Sequence, residues 1–214
     1  MEVIRLVVGP LRTNCYVVYD PESGKCAVID PGGDGERILE ALREKDLSLE
    51  KIICTHGHLD HIYDAGLLQK LTGAPVIIGE KEKVFLEKGK WMDDFMDTSS
   101  MVEISDYSTV REGDIINVGN VRLHVIETPG HTPGSISLYY AGPADGSSDR
   151  ALFSGDLIFR LSVGRTDLPG GDTSALLESI HRKVLTLPDD TVIYPGHNLT
   201  TTVGKERLEN PFLT

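Results

Sequence analysis

The chain opens with three short runs of alternating or continuous apolar residues, near 2–8, 13–19 and 25–30, divided by Gly9-Pro10 and by Pro21 to Gly24. Runs of this length bounded by Gly and Pro predict strands, and their close spacing predicts a meander. After them, Ile38, Leu39 and Leu42 share one face of a 3.6-residue period, which predicts a helix over 35–45. A buried strand is expected at Lys51-Ile52-Ile53-Cys54, then a helix at 65–72 and a strand at 75–78. The second half repeats the scheme, with strands near 114–118, 121–127, 135–140, 151–154 and 191–194 and one long helix over 173–186. Residues 141–150, carrying Gly142-Pro143 and Asp145-Gly146-Ser147-Ser148, read as a surface turn.

The chemistry concentrates where the first buried strand ends. His56, His58, Asp60 and His61 fall within Thr55-His56-Gly57-His58-Leu59-Asp60-His61, and no packing requirement explains so many metal-capable side chains together. In an extended segment His56 and His58 project to one side, while Asp60 and His61 are free to turn toward a second point, so one loop can serve two ions. Three later segments share a grammar of strand, glycine-containing turn and one ligand-type residue. They are Thr128-Pro129-Gly130-His131-Thr132, Phe153-Ser154-Gly155-Asp156 and Tyr194-Pro195-Gly196-His197.

This set, HxHxDH at 56–61 with His131, Asp156 and His197, resembles the metallo-β-lactamase-fold hydrolases along nearly the whole chain. The resemblance implies an α/β fold, a four-layer α/β/β/α sandwich of two mixed sheets, as a single domain over 1–214. It implies two divalent metal ions, zinc expected and iron or manganese the alternatives. His56, His58 and His131 match the ligands of one ion and Asp60, His61 and His197 those of the other; Asp156 matches the bridging carboxylate. Asp60 is also the expected catalytic residue, orienting the nucleophile.

The stretch Ser162-Val163-Gly164-Arg165-Thr166-Asp167-Leu168-Pro169-Gly170-Gly171-Asp172 looks like a segment of glyoxalase II-like thioesterases, and in a similar form of persulfide dioxygenases. So does the tail from Pro195 to Thr202 with Glu206-Arg207 and Asn210-Pro211-Phe212, which is similar to short bacterial members of the glyoxalase II-like group. The expectation is a metal-dependent hydrolase of small-molecule thioesters, S-2-hydroxyacylglutathione or a related acyl thioester. A mononuclear-iron persulfide dioxygenase using residues matching His56, His131 and Asp156 is the alternative. Asp156 stands where one β-lactamase subclass has a cysteine ligand, which argues against that subclass and against antibiotic hydrolysis. Full-length glyoxalase II enzymes carry basic residues in a further C-terminal region, whereas this chain ends 17 residues after His197. Candidate substrate contacts are Arg165, Trp91 and Asn198. Arg165 with Asp167 is expected to brace a loop, and 89–101, around Trp91, is either a lid or a packed cover.

Composition narrows the partners. With 33 acidic against 21 basic residues, a net charge of −12 and no basic cluster along the sequence, nucleic acid is not an expected partner. No run of apolar residues reaches membrane-spanning length and no leader-like segment opens the chain, so the expected setting is the cytoplasm, without membrane. Cys15, Cys26 and Cys54 lie in strand-like runs without a CxxC pair and are expected as buried free thiols. His124 and His181 fall outside the motifs, as surface or packing residues.

Overall fold

Along β2 (Thr13–Tyr19) every residue is buried, so this strand must be covered on both faces. Alternation sorts the two faces: Cys15, Val17 and Tyr19 join an outer apolar cluster, whereas Tyr16 and Val18 join a second cluster between two sheets. The computed structural model describes residues 1–84, 97–143 and 149–213. Its first sheet runs, in spatial order, β1 (Glu2–Val8), β2, β3 (Lys25–Ile29), β4 (Ser48–Cys54), β5 (Val76–Gly79) and β6 (Tyr107–Val110). β1 to β3 are antiparallel, the expected meander, and β3 to β6 are parallel.

Parallel neighbours need crossovers, and these supply the outer layer. Helix α1 (Gly35–Glu44) links β3 to β4, and the single turn α2 (Leu59–Ile62) with α3 (Ala65–Thr72) links β4 to β5. Ile38, Leu39 and Leu42 of α1 and Leu68 of α3 pack with Val28, Ile52 and Val76 on the outside of the sheet.

The second sheet has the order β14 (Thr201–Thr202), β13 (Val192–Pro195), β10 (Ala151–Gly155), β9 (Ile136–Tyr140), β8 (Val121–Glu127) and β7 (Ile115–Val118). A small hairpin, β11 (Ile158–Phe159) with β12 (Ser162–Val163), follows β10. Helix α4 (Thr173–Ser179) covers the outer face, burying Leu176 with Leu152 and Ile193, and α5 (Val203–Glu209) adds Val203. The inner faces of both sheets meet through Tyr16, Ile29, Ile53, Leu123, Leu138 and Phe153. This is the four-layer α/β/β/α arrangement of two mixed sheets flanked by helices.

The expected long helix over 173–186 is regular only to Ser179. It then widens over Ile180–Val184, where Leu185 N–H reaches back five residues to the Ile180 carbonyl at 2.9 Å. β6 and β14 carried no apolar signal, because β6 is a half-exposed edge strand and β14 has two residues. All three cysteines are buried and free. His124 is half-buried and His181 exposed. Trp91, with most of 89–101, and much of the 141–150 turn lie outside the described residues, although Met101 packs on the outer cluster. Among the described residues no helix is long and apolar enough to cross a membrane.

Direction within the sheets positions the chemistry. β3, β4 and β5 are mutually parallel, and β10 is parallel to β13 and, two antiparallel steps away, to β8. The C-terminal ends within each of these strand sets therefore lie together, and these ends deliver the loops that carry the histidines and carboxylates.

Phe153 is the keystone of the inner layer, edge-on to Tyr16 with ring centroids 5.5 Å apart and stacked on Tyr194 at 5.0 Å. We expect Phe153→Ala to lower unfolding free energy by about 3–5 kcal/mol in urea titration, at an unchanged denaturant slope; a loss below about 1 kcal/mol would show that this ring does not knit the two sheets together.

Candidate metal centre

Four strand ends converge on one polar cluster. β4 runs into Thr55 to His58; after His58, still extended, α2 makes one helical turn, with His61 N–H bonded to the His58 carbonyl at 2.9 Å. That turn places Asp60 and His61 opposite the extended pair His56 and His58. From the second sheet, the ends of β8, β10 and β13 deliver His131, Asp156 and His197. All seven residues singled out in the sequence are thus brought together.

Their donor atoms fall into three compact sets: His56, His58 and His131; Asp60, His61 and His197; and His56, His61 and Asp156. Within each set the atoms lie within 4.8 Å of one another. Asp156 reaches both halves, its Oδ1 lying 3.4 Å from His61 Nε2 and its Oδ2 3.8 Å from His131 Nε2 and 3.5 Å from His197 Nε2. His197 Nε2 is 3.2 Å from Asp60 Oδ2. His56 and His61 are buried, and the Nε2 atoms of both, with Asp156 Oδ1, have no hydrogen-bond partner among the described residues. The 3.4 Å approach of His61 to Asp156 is electrostatic, without hydrogen-bond geometry. Unpartnered buried nitrogen and carboxylate atoms are costly, and imidazole with carboxylate is a donor set suited to divalent cations. The residues fit such a group.

The far sides of His61 and His131 are held. Asp30, at the end of β3, accepts from Thr55 N–H and Thr55 Oγ1, both at 2.7 Å, and its Oδ2 lies 2.9 Å from His61 Nδ1. That contact turns His61 Nε2 toward the cluster. His131 Nδ1 bonds the Arg165 carbonyl at 2.7 Å, so this residue meets the site through its backbone; its guanidinium is exposed and paired with Asp167 through two 2.7 Å bonds. Thr13 Oγ1 donates to Asp60 Oδ2 at 3.0 Å. Glu82, fully buried after β5, accepts from Gly57 N–H at 2.8 Å and Gly134 N–H at 2.7 Å, tying the first histidine loop to the segment just after His131.

The His197 loop is clamped from the opposite sheet. Asn14 Nδ2 donates to the carbonyls of Pro195 at 2.8 Å and Asn198 at 3.0 Å, and Tyr16 Oη donates to Pro195 at 2.7 Å. Gly196 is required there, since a Cβ would sit 2.2 Å from Asp156 Oδ1. Asn198, at a φ of 66°, is exposed at the rim of a cleft that includes His197. The sequence reading missed Asp30, Glu82, Thr13 and Asn14. Asp30-Pro31-Gly32-Gly33 at a strand end was the one available signal, since it sets an acid beside a glycine turn as the other segments do, though with the acid before the turn.

Electrostatics divides the imidazoles. Burial and the neighbouring histidines push His56 far below its usual range and bring His58 to about 3, so both are neutral donors. Burial also disfavours charge on His61, but Asp156, Asp60 and Asp30 outweigh it and hold its pKa well up. Asp60 is held low against the cost of its own burial by His61 and His197.

Comparison with known proteins agrees with this arrangement. A sequence profile of the metallo-beta-lactamase superfamily matches residues 8–197. Hydroxyacylglutathione hydrolase GloC of Haemophilus influenzae is 34% identical, over 100% of this chain and 98% of that protein. The crystal structure of BLEG-1, a B3 metallo-beta-lactamase, superposes with a TM-score of 0.89 at 35% identity over 100% of both chains. That of TTHA1623 in a di-iron-bound form gives 0.84 at 33% identity, over 98% of this chain and 100% of that one. By its strand order, by the place of its histidine loops and by the match over 8–197, the chain belongs to the metallo-beta-lactamase superfamily.

Proposed function

We propose that the chain is a thioesterase of glyoxalase II type, hydrolysing S-2-hydroxyacylglutathione or a related acyl thioester to acid and thiol. The observation that carries the reading is the completeness of two donor sets around buried atoms that otherwise lack partners. The whole-length likeness to GloC supports the reaction class, and the likeness to di-iron TTHA1623 supports a two-ion centre.

His56, His58 and His131 would hold one divalent ion, Asp60, His61 and His197 a second, with Asp156 shared. When bound, such ions supply Lewis acidity to a carbonyl and lower the pKa of water from about 15.7 toward 7. The chain's own residues do the rest. Asp60, its Oδ2 fixed by Thr13, orients the attacking water toward the thioester carbon. Asp30, the Arg165 carbonyl and the Glu82 bridge keep the imidazoles and their loops from turning, so little reorganisation accompanies reaction. As the carbon–sulfur bond breaks, the thiolate leaves with its electron pair. With a thiol pKa of roughly 8.5 it departs without needing a proton first.

β-Lactam hydrolysis is the second reading, favoured by the likeness to BLEG-1. Asp156, expected from the sequence to argue against antibiotic hydrolysis as a whole, argues only against a cysteine-ligand subclass once the likeness to a B3 enzyme is set beside it. An amide nitrogen, unlike a thiolate, must gain a proton as it leaves, and this makes the thioester the better substrate.

Metal-loaded protein, assayed without oxygen on S-lactoylglutathione, is expected to release free thiol, and chelated protein is not; absence of metal-dependent release, or release that requires oxygen, contradicts the thioesterase reading. His58→Ala is expected to cost roughly a hundredfold or more in kcat/KM while melting near the parent temperature, since His58 belongs to none of the three apolar clusters. Near-normal turnover in that variant would remove His58 from the centre. For Asp30→Asn we expect metal affinity, read by competition with a chromogenic chelator, to fall about 10–100-fold; unchanged affinity would mean that the His61 contact is incidental.

A further inference from the structure

Along the sequence the 21 basic residues form no cluster, and the net charge is −12. Folding nevertheless gathers three arginines around one cleft of about 480 Å³ that has His197 in its wall: Arg5, Arg12 and Arg160, with Leu11 and Leu199 supplying apolar surface. Among the described residues no acidic side chain lines it.

The arginines differ in what occupies them. Arg5 is committed to the protein, donating from Nε to Asn14 Oδ1 and from Nη2 to the Asn198 carbonyl, both at 2.8 Å, as part of the clamp on the His197 loop. The exposed side chains of Arg12 and Arg160 make no hydrogen bond or ion pair among the described residues. In a chain where acids outnumber bases, two such cations at one cleft are unexpected from composition alone.

Both are placed by elements that also build the metal centre. Arg12 immediately precedes Thr13, which holds Asp60, and Asn14, which holds the His197 loop. It adopts a φ of 58°, a left-handed conformation that an arginine takes at a cost, closing the turn back to the Gly9 carbonyl. Arg160 follows Phe159, whose ring lies 6.2 Å from that of His197, in the tip of the β11–β12 hairpin. Glu206 and Asn210 fix that hairpin: Glu206 accepts from Leu161 N–H at 2.9 Å and from Asn210 Nδ2 at 2.8 Å, and Asn210 also donates to the Ser162 carbonyl at 3.0 Å. The backbones that present the two guanidinium groups are therefore held, while the groups themselves are left for a ligand.

We propose that Arg12 and Arg160 form an anion-reading subsite, so that the substrate is a thioester carrying a carboxylate beside an aliphatic segment that lies against Leu11 and Leu199. The inference rests on the thioesterase reading of the adjacent centre and adds the residues that select among thioesters. Guanidinium groups pair with carboxylates in a fork that a neutral substrate cannot use. At an open cleft the attraction weakens with salt, since the screening length is about 10 Å at 0.1 M.

Three thioesters with matched reactivity test this in low-salt buffer: acetyl-N-acetylcysteamine, which is neutral; S-acetyl-3-mercaptopropionate, with a carboxylate on the thiol side; and succinyl-N-acetylcysteamine, with one on the acyl side. Metal-loaded wild type is expected to favour at least one anionic substrate over the neutral one by about tenfold in kcat/KM, mainly through KM. Which one is favoured tells whether the thiol or the acyl group carries the anion. In R12Q/R160Q the anionic-to-neutral ratio is expected to fall toward one, whereas R122Q/R182Q, which removes the same two charges from exposed arginines outside the cleft lining, keeps it. A non-reacting thioether acid, 3-(propylthio)propionate, titrated calorimetrically into both proteins, reads the subsite without turnover. Turnover with no charge preference, or with a preference that survives R12Q/R160Q, overturns the subsite and leaves the thioesterase reading standing. Arginine-dependent binding of the thioether without turnover of any thioester does the reverse. Neither turnover nor arginine-dependent binding removes both.

Discussion

Burying a polar atom without a partner is among the costliest things a protein does, and this chain does it three times at one point. His56 Nε2, His61 Nε2 and Asp156 Oδ1 are sealed from solvent and aimed into a shared space. Cavity for cavity, an apolar filling would be more stable. Much of the surrounding architecture is intelligible as the means of holding those atoms in place until a cation compensates them.

The means are distributed over both sheets. Asp30 from β3, Glu82 after β5, and Thr13 and Asn14 from β2 reach across to atoms contributed by other strand ends. Each restrains a ligand or its loop from behind, while His56 Nε2, His61 Nε2 and Asp156 Oδ1 face the shared space without a hydrogen-bond partner among the described residues. The parallel pairing of β3, β4 and β5 in one sheet and of β10 with β13 in the other brings these ends together, and the apolar contact of Tyr16, Phe153 and Tyr194 just beneath fixes the distance between the two halves. The site is thus coupled to inter-sheet packing, whereas the outer helices contribute mainly coverage.

How much of this was legible beforehand depended on range. The strands around β2, β3 and β4 and the helix α3 announced themselves because apolar periodicity is a local signal, and HxHxDH did so because four ligand types crowd into one loop. His131, Asp156 and His197 were legible only by grammar and resemblance. Asp30 and Glu82 were not, since the partner of Asp30 lies 31 positions away and the two loops joined by Glu82 lie 25 and 52 positions from it; a lone acid after a strand has no meaning until the fold supplies its donors. Arg165 was legible as a marker but for a different atom, because its backbone carbonyl and not its guanidinium meets the site. The basic cleft was invisible for the same reason: Arg5, Arg12 and Arg160 are neighbours only in three dimensions.

The central claim is that seven side chains from two sheets form one centre for a pair of ions. Metal content per chain, measured by mass spectrometry after equilibrium dialysis against zinc, tests it most directly. The account predicts about two ions per wild-type chain and about one when His197 is replaced by alanine, because only one donor set is broken. A single ion in wild type, or a content indifferent to that replacement, would contradict the shared centre.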